Sequence, residues 1–123
     1  MTSFLLDSSA ILALLQRERG WERIVEVLPA SSISAVNYAE VWKKLIDGGI
    51  PKPDVQSVLS ALHLNVIPFG PAEAAWSVDF IHPGVSLADR ACLGTARHTG
   101  LPVLTGDRLW LEIRQTVEVE LFR

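Results

Sequence analysis

Short apolar runs alternate with helix-periodic stretches along most of the chain. Phe4-Leu5-Leu6 is a compact run of strand type, and after Asp7 the residues Ile11, Leu12, Leu14 and Leu15 recur at helical spacing up to Arg17-Glu18-Arg19. Gly20 interrupts, and Trp21, Ile24, Val25 and Leu28 resume the helical period until Pro29. Ser31-Ser32-Ile33-Ser34 predicts a second short strand, followed by a helix through Val36, Ala39, Val41, Trp42, Leu45 and Ile46 that stops at Gly48-Gly49. Pro51 to His63 carries Val55, Val58, Leu59 and Leu62 on one face, a helix introduced by prolines and Asp54. Val66-Ile67-Pro68-Phe69 reads as a strand end, residues 72–80 as a helix, and His82-Pro83-Gly84 as loop. Ser86 opens a helix to about Thr99 that Gly100 closes; Pro102-Val103-Leu104-Thr105 is a buried strand. Asp107 to Ile113 predicts one or two helical turns, and Val117 to Leu121 alternates as an edge strand does. Five short strands separated by helices predict an α/β sandwich with a mostly parallel sheet.

The length, 123 residues, suits one domain spanning 1–123, and 49% hydrophobic residues supply a core. The lone cysteine, Cys92, has no partner for an internal disulfide or a cysteine-rich zinc site, which points to a reducing compartment, the cytoplasm. The apolar start is cut short at Asp7, and no later stretch reaches membrane-spanning length, so neither secretion nor a membrane is expected. The net charge of −3 argues against a protein that grips nucleic acid through a general basic surface. Four carboxylates holding two divalent cations would move that balance to roughly +1, so phosphate chemistry stays open.

In open parallel sheets, ligands bind beyond the carboxyl ends of the strands. Asp7 follows the first strand, and Asp107 follows the Val103-Leu104-Thr105 strand after one glycine. Glu40 lies early in the helix after the second strand, and Asp89 in the first turn of the helix opened by Ser86. Each has a plain alternative. Asp7 and Asp107 are favoured N-cap residues, and Ser86 with Asp89 fits the capping-box pattern. Glu40 has Lys43 and Lys44 at helical spacing, though a surface pair contributes only about 0.3–0.5 kcal/mol. Gathered together, the four would repel by roughly 4 kcal/mol per pair at about 4 Å and an effective dielectric near 20, so a cluster calls for a counter-charge. Oxygen-only ligands select a hard cation, Mg²⁺ or Mn²⁺, whose natural chemistry is metal-assisted phosphodiester hydrolysis.

The segments Asp7-Ser8-Ser9, Ser34-Ala35-Val36-Asn37-Tyr38-Ala39-Glu40-Val41, Ser86-Leu87-Ala88-Asp89-Arg90-Ala91-Cys92-Leu93 and Pro102-Val103-Leu104-Thr105-Gly106-Asp107-Arg108 closely resemble the PIN domain, specifically VapC-type toxins of type II toxin–antitoxin systems. The resemblance spans nearly the whole chain, including its closing Val117 to Arg123. It implies a PIN-like three-layer sandwich and a Mg²⁺-dependent single-strand endoribonuclease, usually a homodimer, silenced by a cognate antitoxin protein. It assigns Asp7, Glu40, Asp89 and Asp107 as the catalytic, metal-binding acids. Ser9 and Thr105 match the family's hydroxyl positions and would hold a carboxylate or water, against a plain helix-start and strand-end role. The family commonly carries a larger residue where this chain has Gly106, which implies a more mobile Asp107.

Arg90 and Arg108 each follow a site acid and are candidates for contact with RNA phosphate, the alternative being a solvated or ion-paired arginine. Trp42 and Trp110 are candidates for base stacking or an interface, against simple packing in the core. His63, His82 and His98 have no metal-ligand spacing, and Cys92 reads as a packing residue. Two rivals remain for the function. A receiver-like signalling domain would need an acidic pair after its first strand and a lysine after a late one; Asp7 stands alone and the lysines are Lys43, Lys44 and Lys52. A catalytically silent PIN-fold binding module would be suspected if an acid were missing, and none is.

Overall fold

A computed structural model of the protein describes residues 2–123. Five strands form one sheet: β1 (Leu5–Leu6), β2 (Ser32–Ser34), β3 (Asn65–Ile67), β4 (Val103–Thr105) and β5 (Val119–Leu121), in the order β3-β2-β1-β4-β5. All four pairings are parallel, with Leu5 opposite both Ser32 and Val103, so the sheet is wholly rather than mostly parallel. Parallel neighbours require crossovers, and helices provide them: α1 (Ser8–Gln16), α2 (Trp21–Val27), α3 (Ala35–Asp47), α4 (Lys52–Ala61), α5 (Pro71–Ser77), α6 (Leu87–Thr99) and α7 (Trp110–Ile113).

The alternation of side chains along the two central strands divides the core in two. Leu6 and Leu104 join Ile11, Ile24, Ile33, Val41, Val55 and Leu59 on one face, under α1 to α4. Leu5 and Val103 join Phe80, Cys92, Leu93, Trp110 and Val119 on the other, under α5 to α7. Both faces of β1 are therefore covered, which is why its two residues are apolar without polar alternation. Close approach of α5 and α6 depends on Gly94, where a Cβ would stand 2.7 Å from the Ser77 backbone.

Boundaries differ from the sequence reading where proline and short turns intervene. The third strand is Asn65–Ile67 rather than Val66 to Phe69. Pro68, with no N–H to donate, lies just past its end. The helix expected over 72–80 is α5 followed by a 3-10 turn, Val78–Phe80. Asp107 to Leu109 form a turn, leaving only Trp110–Ile113 helical. The last strand shortens to Val119–Leu121 and occupies one edge of the sheet, as expected. Gly100 caps α6 in the left-handed region, at φ 77°, as the sequence suggested.

Candidate active site

The carboxyl ends of β1 and β4 lie side by side, and a ring of hydrogen bonds joins them. Asp7, 5% exposed, accepts from Ser9 Oγ (2.7 Å) and Ala10 N (3.1 Å) at Oδ1, and from Thr105 Oγ1 (2.7 Å) at Oδ2. The same hydroxyls accept in turn. Gly106 N donates to Ser9 Oγ at 3.1 Å and Asp107 N to Thr105 Oγ1 at 3.0 Å. Ser9 and Thr105 thus do two things at once: they orient the Asp7 carboxylate and shape the turn carrying Asp107. The N-cap alternative for Asp7 is also realised, through Ala10 N, so capping and display of a carboxylate are compatible at this position.

Asp89 completes a capping box, accepting from Ser86 N at 3.0 Å while its own N–H donates to Ser86 Oγ at 3.1 Å. Asp107, exposed, accepts from Leu109 N at 3.0 Å in a side-chain turn. Glu40, half-buried, faces Lys44 at 3.9 Å, while Lys43 pairs with Asp47 instead. Among the described residues, Asp7, Asp89 and Asp107 pair with no lysine or arginine.

Electrostatics link the four. Burial pushes the Asp7 carboxyl up to about 6, opposed by hydrogen bonds from Ser9, Thr105 and Ala10 and reinforced by the charge of Asp89. Burial also raises Asp89, against its bonds from Ser86 and with help from the charges of Asp107 and Glu40. The Cys92 thiol, one turn beyond Asp89, is fully buried and is pushed well up by burial and by Asp7, Asp89 and Glu40. The charges of Asp7 at the start of α1, Glu40 on α3 and Asp89 on α6 thus all disfavour the thiolate of this buried cysteine. Cys92 is a packing residue, as read from sequence.

A pH dependence follows. Asp7 has an ordinary value of 3.8 and a folded value of about 6, so the native state holds this proton more tightly than the unfolded chain. Its stabilising effect is complete below about pH 4 and is lost as pH rises through about 6, a swing of at most about 3 kcal/mol. Urea unfolding in chelator, compared between the parent and Asp7→Asn, should isolate this swing. An unchanged difference between the two across that range would contradict it.

Among the described residues, no three histidine, cysteine, aspartate or glutamate side chains close on one point as a ready-made metal cage. The bonds above account for this, since Asp89 and Asp107 turn partly toward their own backbone. The donor set nevertheless suits Mg²⁺, which is held by one or two carboxylates together with waters and substrate phosphates rather than by an all-protein cage. A buried carboxylate without a cationic partner fits the same reading.

Of the other candidates, Arg90 donates to Val85 O at 3.3 Å and is partly committed to structure, whereas Arg108 is exposed. Trp110, 1% exposed, is a core residue and offers no stacking surface. Trp42 is half-buried, edge-on to Tyr38 with ring centroids 6.4 Å apart, and lines an open cleft of about 600 Å³ with Tyr38, Ile46 and Lys52. His98 pairs with Glu73 at 3.2 Å and His82 Nδ1 accepts from Gly84 N at 3.1 Å, both outside the acidic centre. Sequence reasoning missed Asn37. It is 1% exposed, one turn before Glu40, and its Nδ2 donates to Ala88 O at 3.1 Å, tying the helix of Glu40 to the turn of Asp89. Its signal was a lone amide on an otherwise apolar helix face.

The class is thereby defined: a three-layer α/β protein with a wholly parallel sheet and an acidic centre at the carboxyl ends of its strands. Residues 4–115 match the PIN domain family, and the chain belongs to it. No curated protein matches the sequence. Among solved structures, it is similar to a chain of the DNA-bound VapBC of Salmonella typhimurium, with a TM-score of 0.77 and 18% identity over 100% of both chains. A toxin–antitoxin complex from Klebsiella pneumoniae gives 0.75 and 21% over 98% of each chain. VapBC-1 from nontypeable Haemophilus influenzae gives 0.78 and 16%, again over 98% of each. At these identities the likeness is one of fold.

Proposed function

We propose that the protein is a Mg²⁺-dependent endoribonuclease, the toxin of a toxin–antitoxin pair. The observation that carries the reading is the Asp7 carboxylate, buried without a cationic partner at the carboxyl end of β1 and held by Ser9 and Thr105, in a PIN-family chain that also has Glu40, Asp89 and Asp107. Asp7, Glu40, Asp89 and Asp107 are the residues that would hold the ion, Mg²⁺ or Mn²⁺. When bound, it would supply Lewis-acid stabilisation of charge growing on the phosphate and ease ionisation of the attacking water. The chain's own contribution is positional. Ser9 and Thr105 fix both oxygens of Asp7, and the capping box fixes Asp89. Arg108, exposed beside Asp107, is the candidate for contact with RNA, and Arg90 a weaker one.

Partner and assembly belong to the same proposal. A cognate antitoxin protein would hold the enzyme silent, and the enzyme would act as a homodimer in the cytoplasm. Support comes from the Klebsiella pneumoniae relative in fold, which is a toxin–antitoxin complex. Among the described residues, no helix is long and apolar enough to cross a membrane. A silent binding module is disfavoured because all four acids are retained.

The chemistry of the cut provides the test. With His82 and His98 bonded elsewhere, and His63 just before the amino end of β3, away from the strand ends that carry the acids, no imidazole stands ready to activate the RNA 2′-hydroxyl. Water is the expected nucleophile: its oxygen bonds to phosphorus as the P–O3′ bond breaks, leaving a 5′-phosphate and a 3′-hydroxyl. Ligation and phosphatase-sensitive end labelling should find those ends, and a 2′-deoxy substitution at the cut should slow cleavage without abolishing it. Cyclic 2′,3′-phosphate ends would overturn the mechanism.

A further inference from the structure

Gly106 stands between Thr105 and Asp107, and it is not among the glycines with positive φ. Space, then, rather than backbone conformation, explains a glycine there. A Cβ at this position would lie 2.7 Å from Arg123 Nε, 3.0 Å from Nη2 and 3.1 Å from Cζ. The Arg123 guanidinium therefore rests against the turn that carries Asp107. Its register is set by the sheet, because Phe122 N donates to Thr105 O at 3.1 Å, and its Cζ lies 5.0 Å from the Phe122 ring centroid.

The positive charge is weakly spoken for. Among the described residues its one ion pair is Nη1 to Glu18 Oε1 at 3.7 Å, between side chains 32% and 39% exposed. A pair so open to solvent is weak, and a guanidinium has five N–H donors to offer. Of the other cations, Lys43 is held by Asp47, Arg23 by Glu120, and Arg90 donates to Val85 O, while Arg108, on the far side of Asp107 in the chain, forms no ion pair among the described residues and is exposed. Bound divalent cations would offset the acids locally, and a strand that runs on past them over a chain of net charge −3 gains from a fixed cation beside the centre.

We propose that Arg123 is a phosphate-binding residue of the substrate track, gripping a phosphodiester next to the acidic centre with donors that Glu18 leaves free. The inference rests on the ribonuclease reading and adds a residue to it. Gly106 is the accommodation that lets the guanidinium lie there.

Arg123→Gln should raise KM for RNA about tenfold, the order expected for one charge-assisted hydrogen bond, and leave kcat within about twofold. The slope of log affinity against log salt should flatten by about 0.7, one phosphate contact on a single strand. Arg123→Lys should fall between, keeping the charge and losing the fork. Gly106→Ala, whose Cβ would displace the guanidinium from its present seat, should weaken binding in the parent and add little to Arg123→Gln. Unchanged KM and salt slope in Arg123→Gln, or a fall in kcat alone, at the parent's melting temperature, would overturn the proposal. If the parent cuts no RNA, it is the ribonuclease reading that fails. Arg123 is then judged separately, by anisotropy of a short fluorescein-labelled single-stranded RNA on Asp7→Asn protein with and without Arg123→Gln. Equal affinities there would exclude it.

Discussion

Asp7→Asn is expected to abolish RNA cleavage while leaving the metal-free fold at least as stable as the parent. Loss of an outer partner of a metal ligand typically costs ten- to a hundredfold in affinity or activity, and loss of a direct ligand should exceed that. The fold has the opposite interest. Asp7 is buried with a raised proton affinity and lies within the field of Asp89, so at neutral pH its charge is a liability. Asparagine keeps an oxygen to accept from Ser9 and Ala10, and its amide can donate to the Thr105 hydroxyl, which rotates to suit. The melting temperature in chelator should therefore rise or hold, and the stabilisation that added Mg²⁺ confers on the parent should shrink. Glu40→Gln should behave alike, whereas Asp89→Asn also disturbs the capping box and is the poorer probe. A clear fall in melting temperature for both Asp7→Asn and Glu40→Gln would assign these acids to structure.

The second large effect is on growth. On the toxin reading proposed above, restraint of the nuclease falls to its antitoxin. Expression of this chain alone should arrest a bacterial host, and Asp7→Asn should grow as the empty vector does. Co-expression of a small neighbouring antitoxin should restore growth to the parent and co-purify with it. Equal growth under verified expression in several hosts would contradict the toxin assignment.

Which parts of this were legible in the sequence follows from range. Asp7, Ser86 with Asp89, and Gly100 declare themselves through cap chemistry, which is local, and the apolar strands Leu5–Leu6 and Val103–Thr105 through burial on both faces. Thr105 and Ser9 were readable as hydroxyls near an acid because motif spacing places them there. Contacts made by folding were not. Asn37 meets Ala88 across 51 positions, and the lone amide on an apolar helix face that marks it does not name its partner. Gly106 suggested mobility from its residue type alone; that its missing Cβ leaves room for Arg123, two residues past β5, is visible only in the fold. Trp110 shows the same limit. Its residue type fits a stacking platform equally well, and only packing against Leu5, Phe80 and Leu93 puts it in the core.

The most direct test of the central claim is cleavage of single-stranded RNA by the purified protein, freed of contaminating nuclease, with its Asp7→Asn counterpart in parallel. Activity should vanish in EDTA, return with Mg²⁺ or Mn²⁺, and be absent from Asp7→Asn under every condition. Robust cleavage in chelator, or equal cleavage by Asp7→Asn, would contradict a reaction built on these four acids.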